Sequence, residues 1–489
     1  MQKVVAAVLT AFLSVVLPAH ADEYRVAFGE ARGDDQGLRR AEVMARLTPL
    51  HGRISMTRAA ADTGLYHGWA TFVLDIAAAD PAGRPLDLVY EAPGVWRVAG
   101  WRRGEVVLSY TLSLAHDRFP NEPGDDELAY ARPYGVMWTG RALFVEGAPS
   151  TNINVEFEAA DGWRVSAPWV AADGDGLHFR PSSTDDLLDS AFFAVEHAET
   201  VLASGARIAV APDMTTEAAL YEETLNAAMT AYERLFGAPA GRSPVVIGAR
   251  GSYWGGGVIG RSISMMHGGP LDENTGPIGR HVVTHEVFHL WNAQWRYDES
   301  EQPALEWFSE GTAEYYAALS AARGEARQVL LGLIASHFGS YRSALEGGSI
   351  ASAGPTKLEN QASYDRIYSG GFVAVMALDL MIRQHTRNAH SLDGVMRRIH
   401  TEYAGSGTQR LTRRRLARTI EASTGFDAAP FLSAHVEGTD EIPLEELARD
   451  VGLCISANEQ DGDWSANATW CENLDAPQNA ALASWLQSN

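Results

Sequence analysis

The sequence predicts an α+β protein of more than one domain, with a β-rich N-terminal part and a mostly helical remainder. Two observations carry that reading. Apolar and polar residues alternate with period two in several stretches before residue 190, the mark of half-buried antiparallel strands. From about residue 205 the pattern changes, and helical stripes of apolar residues become the main signal. A third observation marks the helical part as the one that carries chemistry: two histidines four residues apart, His285 and His289, with Glu286 between them.

The chain has 489 residues, enough for two or three domains, and its 46% hydrophobic content is that of an ordinary globular protein. The first residues read as an export signal. Lys3 gives a positive start, Val4–Leu17 an apolar run, and Ala19-His20-Ala21 a small-x-small cleavage site. The run is too short for a permanent anchor, so no stable membrane anchor is expected. The expectation is a protein exported to the periplasm or the extracellular space, with residues 1–21 removed. Residues 22–195 are expected to form the β-rich domain, 196–440 the catalytic domain and 441–489 a C-terminal appendage.

Leu108, Tyr110, Leu112 and Leu114 alternate with Ser109, Thr111 and Ser113, and Ile153, Val155 and Phe157 alternate with polar neighbours. Both are read as strands. Arg207–Val210 and Val245–Ile247 are short strands, and Ile259, Ser262 and Ser264 belong to a candidate edge strand. Glu217–Phe236 is a helix, stopped by Gly237 and Pro239. Further helices are expected at Glu325–Ser343, Gly371–Gln384, Leu392–Tyr403 and Thr412–Thr424. Asp379 and Arg383 form an i,i+4 pair on the second of these.

The net charge of −23 argues against nucleic acid and anionic membranes as partners. The two cysteines, Cys454 and Cys471, suit one disulfide in an oxidising compartment, or a pair of free thiols. No histidine lies near them in sequence, so they are not read as catalytic.

On a helix, His285 and His289 share one face, a turn apart. Two neutral imidazoles there can hold a zinc ion, with Glu286 placed to act on a water at that ion. A third protein ligand is needed, and Glu310 in EWFSEGTAEYY is the candidate. Chance supplies on the order of 0.03 His-Glu-x-x-His matches in a chain with 15 histidines, so the motif is specific. Glu314, one turn after Glu310, is placed to accept a hydrogen bond from a ligand histidine, or to lie on a solvated helix face. Asn292 is placed to brace the turn behind the histidines. His281, a turn before His285, lies beside the ligands or is exposed. Gly256 and Gly257 are either a flexible loop or an edge strand that lets a substrate backbone approach.

At HEVFHLWN, EWFSEGTAEYY and IYSGGFVAVMALDLMIR the sequence resembles the glycyl aminopeptidase family of bacterial zinc metallopeptidases, relatives of the thermolysin-like and aminopeptidase-N-like enzymes. The resemblance is strongest from Val282 to Leu432. It implies a β-rich, sandwich- or saddle-like N-terminal domain and a thermolysin-like catalytic domain. It implies one zinc ion per chain held by His285, His289 and Glu310, Glu286 as general base, and Tyr368 as the donor to the oxyanion. Tyr364 is the nearest competitor for that last role. Two departures stand out. Only about fifty residues follow the catalytic part, too few for the PDZ domain that family members commonly carry. Where the family has a glutamate that holds the substrate's free amine, this chain has Ile259, in Gly256-Gly257-Val258-Ile259-Gly260. Asp272 or Glu273 is a candidate replacement.

The expected function is hydrolysis of peptide or protein substrates, as an aminopeptidase favouring small N-terminal residues. An endopeptidase or oligopeptidase of the same fold is the alternative that Ile259 opens. A weakly active, zinc-bound peptide-binding homologue is a third. The sequence leaves the oligomeric state open.

Overall fold

A computed structural model of the protein describes residues 21–28, 40–57, 67–114, 116, 129–132, 134–159, 162–196, 199–239, 244–250, 255–272, 275–323, 327–357, 359–405, 407–460 and 463–487. The export signal therefore lies outside the described residues, as does Glu273. The chain forms two compact units: residues 1–218 with 243–270, and residues 219–242 with 271–489.

The first unit is β-rich. Its largest sheet has eight strands, in the spatial order Val170–Ala171, His178–Arg180, Ile153–Glu158, Asp22–Phe28, Arg40–Leu47, Val106–Ser113, Val73–Ala79 and Pro85–Leu86. The alternation at Val106–Ser113 buries Leu108, Tyr110 and Leu112 and leaves Ser109, Thr111 and Ser113 half exposed. A four-stranded sheet runs Arg164–Ser166, Ala191–Val195, Gly135–Thr139 and Tyr130–Arg132. Phe157, Trp169 and Phe192 fill the core of this unit, with ring centroids 5.3–6.3 Å apart.

The expected boundary at 195/196 is corrected by hydrogen bonding. A five-stranded sheet, Thr200–Val201, Arg207–Val210, Val245–Arg250, Ser262–His267 and Gly255–Ile259, belongs to the first unit. Ser262 Oγ donates to the Ala191 carbonyl and accepts from the Ala191 N–H, and Gly260 bridges Ser190. Strands far apart in sequence share one body because their backbone groups need partners.

The second unit is mostly helical. Its long helices are α1 (Thr215–Phe236, which starts in the first unit), α2 (Gly276–Asn292), α3 (Glu306–Arg323), α4 (Arg327–Ala344), α5 (Gly371–Thr386), α6 (Leu392–Tyr403), α7 (Arg413–Thr424) and α8 (Ala476–Gln487). α5 is buried on every side from Gly371 to Leu380, as its continuous apolar run requires of a central helix. It crosses α3 where two glycines meet. A Cβ on Gly311 would stand 2.3 Å from the Gly371 carbonyl carbon, so only glycine allows this approach. The crossing sets Glu310 beside the turn that begins α5.

The reading of 441–489 as an appendage is also corrected. A short helix, Leu444–Arg449, leads into a hairpin, Leu453–Gln460 and Asp463–Trp470, closed by the Cys454–Cys471 disulfide. α8 then buries Trp485 completely in the second unit. The Trp485 indole donates to the Tyr315 hydroxyl at 2.8 Å, and Tyr315 donates to Asp379 at 2.7 Å. Arg383 closes the network, donating to Asp379 at 2.9 Å and to Ser484 at 3.2 Å. No helix among the described residues is long and apolar enough to cross a membrane.

Candidate metal centre

α2 carries His285, Glu286 and His289, and α3 carries Glu310 and Glu314. Three donor atoms converge between these helices. His285 Nε2 and His289 Nε2 are 3.0 Å apart, and Glu310 Oε2 lies 3.4 Å from the first and 3.3 Å from the second. Ligands 2.0–2.2 Å from one tetrahedral ion stand about 3.3–3.6 Å apart, so the three atoms sit at or just inside that spacing.

The proton positions fit the same picture. The Asn292 amide donates to the Ser309 carbonyl at 3.0 Å, which turns its oxygen toward His289. His289 Nδ1 donates to that oxygen at 2.8 Å, leaving Nε2 with a bare lone pair. His285 Nδ1 faces Glu314 Oε1 at 3.3 Å, an approach that makes no hydrogen bond but favours a proton on Nδ1 over Nε2. Two bare nitrogens and a carboxylate facing one another repel unless a cation lies among them. The residues therefore fit a zinc ion.

Burial opposes charge on His285, but Glu314 and Glu310 outweigh it and hold the imidazole well above the usual histidine range. The carboxylates thus draw positive charge to this point, and a proton and a metal ion compete for the His285 Nε2. Burial would raise Glu310; Lys357 and the two histidines instead pull it well below the carboxylate range. Lys357 Nζ lies 3.1 Å from Glu310 Oε1 and 2.7 Å from Glu306 Oε2.

Glu286 is 6% exposed, and burial pushes its carboxyl above the usual range. Tyr368 sits in a single wide helical turn, Arg366–Gly370, directly before α5. Its ring stacks on that of His285, with centroids 6.2 Å apart. The Tyr364 ring stacks in turn on Tyr368, at 4.1 Å. Burial, and then the carboxylate of Glu310, hold the Tyr368 hydroxyl protonated well above its usual range.

A second cluster lies one turn away on the same helices. Glu314 Oε2 is 2.5 Å from His281 Nε2 and 3.4 Å from His337 Nε2, the latter on α4. His337 Nδ1 pairs with Ser369 Oγ at 3.1 Å, and its ring stacks on Phe372.

Residues 53–195 match the Peptidase M61 N-terminal domain. An aminopeptidase N family protein from Idiomarina loihiensis superposes with a TM-score of 0.74 at 16% identity, covering 90% of this chain and 80% of that one. A mutant M1 zinc metallopeptidase from Deinococcus radiodurans, bound to a Tyr-Ser-Ala substrate, superposes with a TM-score of 0.53 at 15% identity, over 87% and 95% of the two chains. Yeast LTA4 hydrolase in complex with bestatin gives 0.53 at 12% identity, over 88% and 70%. No curated protein matches the chain in sequence. In fold the chain is similar to these M1 zinc metallopeptidases, and its donor set suits a zinc ion. The resemblance drawn from the zinc motifs holds at that level, and so does the α+β architecture.

The substrate-binding residues expected from the sequence fall in the first unit. Gly256 and Gly257 lie half-buried in the edge strand Gly255–Ile259, paired antiparallel with Ser262–His267. Ile259 is 1% exposed and gives its side chain to the core, so its expected contact with substrate is corrected. Asp272 accepts from the Thr275 backbone and hydroxyl just before α2. Sequence reasoning passed over Lys357 and His337. No spacing rule reaches either one, but Lys357 had a signal: it is the only lysine after Lys3.

Proposed function

We propose that the protein is a secreted peptidase in which His285, His289 and Glu310 hold one zinc ion, Glu286 is the general base and Tyr368 is the oxyanion donor. The single observation that carries this reading is the convergence of two imidazole nitrogens and one carboxylate oxygen within 3.4 Å of one another. When bound, zinc lowers the pKa of a water to roughly 7 and polarises a carbonyl. The Glu286 carboxylate accepts the proton of the attacking water and passes it to the leaving amine. The Tyr368 hydroxyl, held protonated, donates to the oxygen that gains charge. Asn292 and Glu314 keep the Nδ1 protons on His289 and His285, so both rings stay oriented.

A peptide is the natural substrate class: the Deinococcus radiodurans relative was solved with a Tyr-Ser-Ala substrate. The family resemblance favours cleavage after small N-terminal residues. A second reading, an endopeptidase or oligopeptidase, rests on Ile259 standing in sequence where the family resemblance expects an amine-binding glutamate. Export rests on the N-terminal signal; sequencing of the mature N-terminus is expected to begin at Asp22.

The test is a defined peptide mixture incubated with and without a chelator, with products read by mass spectrometry. N-terminal ladders blocked by acetylation of the peptides mark an aminopeptidase, and internal cuts mark the second reading. No chelator-sensitive product from any peptide would sink the peptidase proposal and leave a peptide-binding homologue.

A further inference from the structure

Glu310 uses its two oxygens differently. Oε2 faces both histidines, whereas Oε1 receives the Lys357 ammonium at 3.1 Å. The same ammonium is anchored by Glu306 Oε2 at 2.7 Å. Glu306 and Glu310 are one turn apart on α3, a like-charge pair that Lys357 bridges. The backbone around Lys357 is fixed as well. It ends the tight turn Ala351–Thr356, in which a Cβ on Gly354 would stand 1.7 Å from the Pro303 carbonyl oxygen, just before α3.

The composition sharpens the point. Of 39 basic residues only Lys3 and Lys357 are lysines; every other one is arginine. Arginine spreads its charge over a planar fork, whereas lysine concentrates three donors on one atom. A single atom bridging two carboxylates from below one ligand suits the ammonium.

We propose that Lys357 is a positioning residue that keeps Glu310 a one-oxygen ligand and so keeps a coordination position open for water and substrate. This rests on the ligand set proposed above. A carboxylate with both oxygens free can grip a zinc ion with two, filling the position that catalysis needs. The ammonium occupies Oε1, and its positive charge also opposes that of the ion. Lys357 therefore weakens metal binding while preserving reactivity. A lysine that merely held α3 in place would do the reverse, and its loss would loosen the metal.

The experiment is metal titration of the wild type, Lys357→Met, Lys357→Gln and Lys357→Arg with Zn2+ and with Co2+, whose visible absorption weakens as coordination number rises. In Lys357→Met and Lys357→Gln, metal binding is expected to tighten about tenfold, since outer contacts shift affinity by about 10–100-fold. The Co2+ absorption should fall in intensity, and kcat should drop about tenfold with KM little changed. Lys357→Arg, which keeps the charge, should stay within about threefold of the wild type in affinity. Unchanged or weaker metal binding in both neutral variants, with an unchanged Co2+ spectrum, overturns the role given to Lys357 and leaves the ligand set standing. A wild type that takes up no metal overturns the ligand set itself, and this proposal with it.

Discussion

Two clusters of two histidines and one glutamate lie one helical turn apart, and they are built for different things. In the first, the donor atoms of His285, His289 and Glu310 stand 3.0–3.4 Å apart. In the second, Glu314 and His281 close to 2.5 Å, a charge-assisted hydrogen bond with no room for an ion between them. The outer atoms of the first cluster face Asn292, Glu314 and Lys357. His281 Nδ1 in the second is buried with no hydrogen-bond partner among the described residues, and so is His285 Nδ1 in the first, which only faces the Glu314 carboxylate. Glu314 spends one oxygen on His285 and the other on His281 and His337. The same two residue types thus make a metal seat or a proton-sharing brace, according to donor spacing.

Variants should separate the two clusters, beginning with the largest effect. His289→Ala is expected to abolish both metal content and turnover, read by elemental analysis and peptide hydrolysis; retained stoichiometric zinc would break the contrast outright. Glu286→Gln should keep the metal and lower kcat by about 10²–10⁴-fold. Because burial raises the Glu286 pKa, the base loses its charge as pH falls through that raised value. The acid limb of kcat/KM should therefore sit above the ordinary glutamate range in the wild type and disappear in the glutamine variant.

Tyr368→Phe is expected to cut turnover about 100-fold with metal retained, since one oxyanion donor is worth about 2.7–4 kcal/mol. Tyr364→Phe is the control, and a larger loss there would move the role to Tyr364. Glu314→Gln should weaken metal binding about 10–100-fold without emptying the site, as expected when a ligand histidine loses its outer partner. His337→Ala should do least, with affinity within about threefold of wild type. A second ion in the wild type that vanishes in His337→Ala would show that the brace is a metal seat after all.

What the sequence made legible was local. Leu392–Tyr403 and Arg207–Val210 follow their apolar patterns to the residue. The motif spacing brought His285 and His289 onto one helix face, and the acidic segment beyond supplied Glu310. What stayed hidden depends on the fold. His337 and Lys357 reach the two glutamates from 23 and 47 residues away, by way of helix crossings that no periodicity encodes. The hairpin Leu453–Trp470 was missed because its strands alternate among Ser, Ala, Asn and Thr, which give little contrast between faces. The domain boundary was misread because Ser262 pairs with Ala191 across 71 residues, a contact between strands that resemble any others.

The buried indole of Trp485 has a bearing on how the molecule comes into being. It lies on α8, and it completes the polar network at Tyr315 and Asp379 beneath the helix that carries Glu310. Nascent domains settle as units once their residues are available. The network around Tyr315 is therefore complete only once α8 has packed. Without α8, Tyr315 would lose the indole donor and Arg383 the Ser484 hydroxyl, while Tyr315, Asp379 and Arg383 would keep one another.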